Sequence, residues 1–121
     1  MKGHLVASIA LGAALVCVAS APANAQSAAD GATIISTRCN VCHSDPSTAP
    51  SLKGVYGRLT ASTDYGYSDA LKAHNKDTWT DASLDAFLTD TAAFAPGTYM
   101  DFKEPDPKAR ASVIAYLKTL K

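Results

Sequence analysis

The chain has 121 residues, 47% of them hydrophobic, and its 11 Lys and Arg balance 11 Asp and Glu to give a formal net charge of zero. This balance excludes the strongly basic composition of a nucleic-acid-binding domain. The length allows one small domain. A domain of this size usually needs additional stabilisation from disulfides, a metal or a cofactor.

The N-terminus has the pattern of a secretory signal peptide. A short polar start is followed by an apolar run from Leu5 to Ala19, and Ala23-Asn24-Ala25 supplies the small residues of a cleavage site. The run is about 15 residues, shorter than the roughly 20 that a membrane-spanning helix needs. We therefore predict that residues 1–25 are a cleaved leader and that residues 26–121 form the domain. An uncleaved N-terminal anchor is the alternative.

Four helical segments are predicted in the remaining chain. The first runs roughly from Ala28 to Cys42, where apolar residues recur at spacings of three and four. A short second segment covers residues 68–72, and a third begins after Thr80, a predicted N-cap. The last begins at Asp106-Pro107, an N-cap followed by proline at the first helical position, and extends to the C-terminus. No stretch alternates as a strand does, so the predicted fold class is all-α.

Long irregular stretches join these helices. Residues 44–63 contain Pro46, Pro50, Gly54 and Gly57 and are predicted to form a loop. Loop backbone cannot be buried without hydrogen-bonding partners, and a few short helices provide little apolar surface. A large apolar cofactor in the interior would resolve both difficulties.

A Cys-x-x-Cys-His motif occupies residues 39–43. Residues three apart on a helix share a face, so Cys39 and Cys42 are expected to reach two edges of one planar group. His43 follows directly, with its imidazole directed toward the centre of that plane. This spacing is typical of c-type haem attachment, in which each sulfur forms a thioether and the histidine ligates iron.

Three other uses of the motif fit the chain less well. A zinc site needs a fourth ligand, but residues 26–121 contain no further cysteine and only one other histidine, His74. A thioredoxin-like redox pair needs a βαβ context, which the pattern lacks. A disulfide between Cys39 and Cys42 would close almost no loop and would stabilise the domain little.

The second axial position of a haem iron is either open or occupied by another ligand. Met100 is the only methionine in residues 26–121, and it ends the segment Pro96–Met100, whose proline and glycine predict an irregular loop. Such a loop can lay a thioether against a flat ring, but an isolated methionine is often core filler. Position alone leaves both interpretations of Met100 open.

Taken together, these motifs resemble the class I cytochromes c, the small soluble mono-haem carriers that include the mitochondrial type. The similarity covers essentially all of residues 26–121. It rests on CNVCH, APSLKGVYGR, Tyr67–Ala70, Thr78-Trp79 and PGTYM. It implies a cytochrome c fold, with three to four short helices and long loops around one covalently bound haem c. The N- and C-terminal helices would cross at Gly31 and Tyr116.

The resemblance also implies roles for individual residues. Cys39 and Cys42 would form the thioethers, and His43 and Met100 would be the axial iron ligands. The residues expected around the histidine and the haem propionates are Pro50, Arg58, Tyr67 and Trp79.

The chain departs from the mitochondrial type near the haem. The loop from His43 to Pro50 is shorter. Phe87 stands where that type has a tyrosine whose hydroxyl bonds the methionine sulfur, and Leu71 replaces an asparagine that orders buried water and a propionate. Hydrogen bonds of this kind tune the reduction potential, so we expect these changes to alter it.

The surface is also expected to differ. In the mitochondrial type a ring of lysines surrounds the exposed haem edge, whereas the matching positions near the methionine loop here are Ala92, Ala93, Tyr99 and Asp101. Charge steering requires a concentrated patch. We therefore expect a more apolar encounter surface and rates of reaction with redox partners that depend only mildly on salt.

These expectations describe a soluble, monomeric one-electron carrier of the bacterial periplasm and not an enzyme, because no group is placed for acid–base or nucleophilic work. The expected partners are redox proteins (cytochrome complexes, oxidases or dehydrogenases), with no nucleic acid and no stable membrane association. Two alternatives remain: a catalytic or gas-sensing haem with an open sixth position, and a subunit permanently docked on a dehydrogenase.

Overall fold

The computed structural model describes residue 3, residues 12–19 and residues 23–121, with side-chain surroundings from residue 27 onward in the last range. Most of the predicted leader, residues 1–25, lies outside the described residues, and its cleavage stays a prediction. The part of it at residues 12–19 forms neither helix nor strand. In the part of the chain that the structure describes, no helix has the length and apolar character needed to cross a bilayer.

Residues 23–121 form short helices joined by loops. In chain order the helical elements are α1 (Ala23–Ile34), a π-helical segment (Ile35–Cys39), α2 (Asn40–His43), α3 (Asp69–Lys72), α4 (Asp81–Thr89), α5 (Thr91–Phe94) and α6 (Pro107–Leu117). An isolated antiparallel bridge between Leu59 and Thr78 is the only strand-like pairing among the described residues. The predicted all-α class is confirmed.

The predicted first helix is a longer and less regular element than expected. It begins at Ala23 instead of Ala28, and its C-terminal half is the π-helical segment followed by α2. The Ser36 and Thr37 hydroxyls donate to the Thr33 carbonyl at 2.9 and 2.8 Å. They compete there with the backbone amide that a regular α-helix would use, which explains why the turn widens at this point.

The predicted starts of the later helices are confirmed by their caps. The Ser68 and Asp106 side chains accept hydrogen bonds from backbone amides of α3 and α6 at 3.2 and 3.0 Å. Thr80 and Ser83 form a reciprocal capping box at the start of α4, with the Ser83 hydroxyl accepting from the Thr80 amide at 2.8 Å. The end of α6 was predicted too late, because the helix stops at Leu117.

Helix α5 was not predicted from the sequence. It spans one turn, and the Asp90 carboxylate caps it by accepting from the Ala92 and Ala93 amides, both at 3.1 Å. Its four residues are too few to show a helical hydrophobic period, so only the cap could have indicated it. This turn leads directly into the loop that carries Met100.

Helices α1 and α6 cross at Gly31. A Cβ atom built on Gly31 would lie 1.9 Å from the Ser112 carbonyl oxygen and 2.9 Å from the Tyr116 Cβ. The two backbones therefore approach closer than any side chain would permit. The predicted crossing of the N- and C-terminal helices at Gly31 and Tyr116 is confirmed.

This close approach predicts a large effect of adding one methyl group. Gly31→Ala should lower the free energy of unfolding by about 2 kcal/mol or more, because the clash with backbone outweighs the gain of up to about 1 kcal/mol in helix propensity. Denaturant unfolding of the holoprotein measures the change. Gly66→Ala is the matched control, since no atom lies within 4 Å of a Cβ there. Equal effects of the two substitutions would contradict the interpretation.

Candidate functional site

A cavity of about 330 Å³ lies in the middle of the domain. Its walls come from the π-helical segment, α2, α3, α4, α6 and three loops, and most of the lining side chains are apolar. The sequence-predicted site residues that line it are Cys39, Cys42, His43, Pro50, Arg58, Tyr67, Trp79 and Met100. The fold thus brings all eight to one place, although they span more than half of the described domain.

Two free thiols lie at the end of the first helical run. Cys39, the last residue of the π-helical segment, is half-buried, and Cys42 in α2 is exposed. Burial raises the pKa of the Cys39 thiol, and the neighbouring Arg38 charge opposes that rise only in part. The Cys39 sulfur therefore lies against apolar side chains in the cavity wall.

The His43 imidazole is oriented by a backbone carbonyl. Its Nδ1 lies 2.7 Å from the Pro50 carbonyl oxygen. Because a carbonyl can only accept, Nδ1 carries the proton and Nε2 keeps a free lone pair, as a metal-ligating histidine requires. Pro50, which the family resemblance implies near the histidine, is therefore its hydrogen-bond partner.

The loop that presents Pro50 is held by its own polar contacts. The Asp45 carboxylate accepts from the Ser47 amide at 2.9 Å, and the Asp45 carbonyl accepts from the Ala49 amide at 3.1 Å. The Tyr65 hydroxyl donates to the Thr48 carbonyl at 2.7 Å. These contacts make the short loop compact and place the Pro50 carbonyl against the imidazole.

Arg58 carries an unmet hydrogen-bond donor at the cavity wall. Its Nη1 donates to the Lys53 carbonyl at 3.1 Å and its Nη2 contacts the Ser51 carbonyl at 3.4 Å. Its Nε is buried and has no partner, the only such side-chain nitrogen or oxygen among the described residues. A buried unpaired donor of a charged group is costly. An anionic acceptor in the cavity, such as a haem propionate, would satisfy it.

The aromatic residues predicted near the propionates form part of the buried wall. The Tyr67 hydroxyl lies 2.5 Å from the Thr63 hydroxyl, and the Trp79 ring packs against Phe87 and Phe94 with centroids 5.1 and 5.8 Å apart. Phe87 and Leu71 also line the cavity. The two departures from the mitochondrial type thus place apolar side chains, without hydroxyl or amide, in the cavity wall.

Arg38 has contacts that its sequence position did not reveal. The sequence indicates only a surface charge beside Cys39, but the guanidinium forms an ion pair with Glu104, 66 positions away, and its Cζ lies 4.9 Å from the centroid of the Phe102 ring. The Glu104 side chain is 10% exposed and that of Arg38 is 44% exposed. This contact connects the cysteine-bearing helical run to the segment that follows Met100.

The cavity fits a haem in the chemistry of its donors. It offers two thiols, an imidazole with a free nitrogen, a thioether and an unpaired arginine nitrogen within apolar walls. These are the groups needed for two covalent tethers, two axial ligands and one propionate contact.

Comparisons with known proteins agree with this arrangement. Residues 28–121 match the family model described as Cytochrome c. The chain is 40% identical to cytochrome c of Theileria annulata over 99 residues, which cover 74% of this chain and 83% of that protein. It is 37% identical to cytochrome c2 of Rhodopila globiformis, with 76% and 92% covered. The solved structure of cytochrome cH from Methylobacterium extorquens matches with a TM-score of 0.69 and 38% identity, covering 76% of this chain and 97% of that one.

The Arg38–Glu104 ion pair predicts a pH-dependent contribution to stability. The hydrogen bond from Arg38, followed by that from the Asp106 amide, holds the pKa of Glu104 below its usual range. A lowered pKa in the folded state means that the contribution is complete above the ordinary carboxyl pKa and is lost as the pH falls through the lower folded value. Glu104→Gln should therefore cost about 1–2 kcal/mol at neutral pH.

Denaturant unfolding of the wild type and of Glu104→Gln from neutral to acidic pH measures the difference in their free energies of unfolding. This difference should shrink as the pH falls. Asp69→Asn is the control, because the Asp69–Lys72 pair is exposed and its loss should leave the free energy of unfolding nearly unchanged at every pH. A Glu104→Gln effect that stays constant with pH would contradict the assignment.

Proposed function

The chain belongs to the cytochrome c family, and we propose that it is a soluble one-electron carrier of the bacterial periplasm in which His43 and Met100 are the axial ligands. Like its family, it carries one covalently attached haem c, whose iron accepts and releases a single electron when bound. The observation that supports the proposal most is the meeting of the Cys39–His43 motif and Met100 at one cavity.

The roles proposed for the chain's own residues follow from this meeting. Cys39 and Cys42 tether the group, so that it stays with the protein through repeated electron transfers. His43 is held in one tautomer by Pro50, and Met100 supplies a thioether from a distant segment. With a protein ligand on each side, no position is open to substrate, and little rearrangement accompanies a change of oxidation state.

The reduction potential depends on the same surroundings. Histidine and methionine ligation favours the reduced iron and raises the potential. Burial of the haem among apolar side chains such as Phe87 and Leu71 disfavours the extra positive charge of the oxidised iron. The Arg58 guanidinium would stabilise an ionised propionate placed beside it. The unpaired Arg58 Nε supports this contact, because it is the donor that a propionate would satisfy.

Two features support the periplasmic part of the proposal. The leader-like residues 1–25 predict export, and the family resemblance implies that haem is attached to Cys39 and Cys42 outside the cytoplasm. We infer that residues 26–121 are the mature carrier.

The surface beside the attachment site supports an apolar encounter with redox partners. Val41, between the two cysteines, is 75% exposed, and Tyr99, beside Met100, is 73% exposed. Ala92 and Ala93 on α5 are exposed as well. Arg38, the nearest cation to the motif, is already paired with Glu104.

Replacing the proposed sixth ligand tests the function directly. Met100→Ala should abolish the methionine-to-iron charge-transfer band of the oxidised protein and lower the reduction potential by on the order of 0.1 V or more, because the thioether stabilises the ferrous state. Optical and redox titrations measure both. Val41→Ala, at an exposed position in the same motif, is the control and should change neither. An unchanged spectrum in Met100→Ala, or an open high-spin iron in the wild type, would refute the proposal.

The encounter surface predicts how the reaction rate depends on salt. The rate at which membranes of the bacterium that produces it oxidise the reduced protein should change by less than about threefold between low and physiological ionic strength. The reason is that the exposed residues Val41, Tyr99, Ala92 and Ala93 carry no charge that salt could screen. The double variant Ala92→Lys/Ala93→Lys should give a steeper dependence. A steep loss of rate with salt in the wild type would contradict the prediction.

A further inference from the structure

Thr91 has the most completely buried side chain of the described residues. It is the first residue of α5, and its exposed fraction is 0%. A buried hydroxyl must form hydrogen bonds or lose the free energy of hydration that it had in water. The partners of Thr91 therefore show what the residue does in this fold.

All of the partners of the Thr91 hydroxyl belong to the segment that carries Met100. The Thr91 hydroxyl donates to the Met100 carbonyl at 2.6 Å and accepts from the Phe102 amide at 3.0 Å. The Phe102 carbonyl lies 3.2 Å from the same hydroxyl and accepts the Thr91 backbone amide at 3.1 Å. One residue thus satisfies backbone groups on both sides of Asp101.

Neighbouring contacts hold the same two stretches together but do not reach Met100. The Glu104 amide donates to the Leu88 carbonyl at 2.9 Å, and Lys103 pairs with Asp90 at 2.9 Å on the surface. These contacts fix the chain after Phe102. Among them, only the Thr91 hydroxyl bonds the backbone of Met100 itself.

We propose that the Thr91 hydroxyl is a positioning residue that holds the Met100 segment closed over the cavity and so keeps the methionine thioether available to iron. This inference rests on the proposed role of Met100 as the sixth ligand. Without the hydroxyl, the Met100 carbonyl and the Phe102 amide lose a buried partner, and states in which the segment has moved away are favoured. A competing ligand then finds the iron accessible more often.

The test compares variants that keep or remove the hydroxyl in the oxidised holoprotein. Imidazole is added, and loss of the methionine-to-iron charge-transfer band reports displacement of Met100. Thr91→Val should raise the apparent imidazole affinity about tenfold or more, which corresponds to roughly 1.4 kcal/mol. Thr91→Ser keeps the hydroxyl and should stay within about twofold of the wild type.

Two further variants make the comparison specific. Thr91→Ala removes the hydroxyl without the branched side chain, so the result does not depend on whether the valine variant folds. Thr60→Val is the matched control, because Thr60 is 1% exposed but does not line the cavity. Its imidazole affinity should equal that of the wild type. If Thr60→Val raised the affinity as much as Thr91→Val, the effect would be general destabilisation and the proposal would be wrong.

A second measurement is independent of the iron ligand. Hydrogen exchange of the Phe102 amide in the reduced holoprotein should speed up about tenfold or more in Thr91→Val and Thr91→Ala but not in Thr91→Ser. Unchanged exchange together with unchanged imidazole affinity would overturn the proposal. If the wild type had no methionine-to-iron band, ligation by Met100 would be refuted, and the exchange measurement would decide the role of Thr91 by itself.

Discussion

The domain is organised around an interior that its own side chains do not fill. All of the buried core cluster except Ile114 lines the central cavity. A cavity with apolar walls costs stability in proportion to its size, so a chain of this length gains greatly from a bound group of matching shape. The haem is therefore both the redox centre and the missing part of the core, which explains why so few helices suffice.

Three contacts tie the walls of this cavity together. The close crossing at Gly31 joins α1 to α6, the Arg38–Glu104 pair joins the cysteine-bearing helical run to the chain after Met100, and Thr91 holds Met100 itself. None of these residues is a proposed iron ligand. They determine where the ligands lie, and for an electron carrier the constancy of that geometry between oxidation states is the functional requirement.

The combination of apolar and polar side chains in the cavity wall determines what the site can bind. Most of the wall is apolar, and among its polar residues His43 bonds Pro50, Tyr67 bonds Thr63, and Arg58 has one donor left for an anion. Low polarity strengthens each remaining electrostatic contact. Phe87 and Leu71 add no hydroxyl or amide to this wall, so the proposed propionate contact of Arg58 is one of the polar contacts expected to influence the potential.

The sequence by itself determined the features encoded within one turn of chain: the Cys39–His43 motif and the caps at Thr80 and Asp106. Together with the family resemblance, it also indicated Met100 and the crossing at Gly31. The π-helical segment and the short helix α5 have local hydrogen bonds but are too short to show a helical period in the sequence. Only the tertiary structure decided the partners of Arg38 and Thr91. Motifs and caps can be predicted from the sequence because they depend on residues that are close by in the chain. A partly buried ion pair or a buried hydroxyl bond depends on which distant segment of the chain packs beside it, and that is settled when the whole chain packs around its cavity.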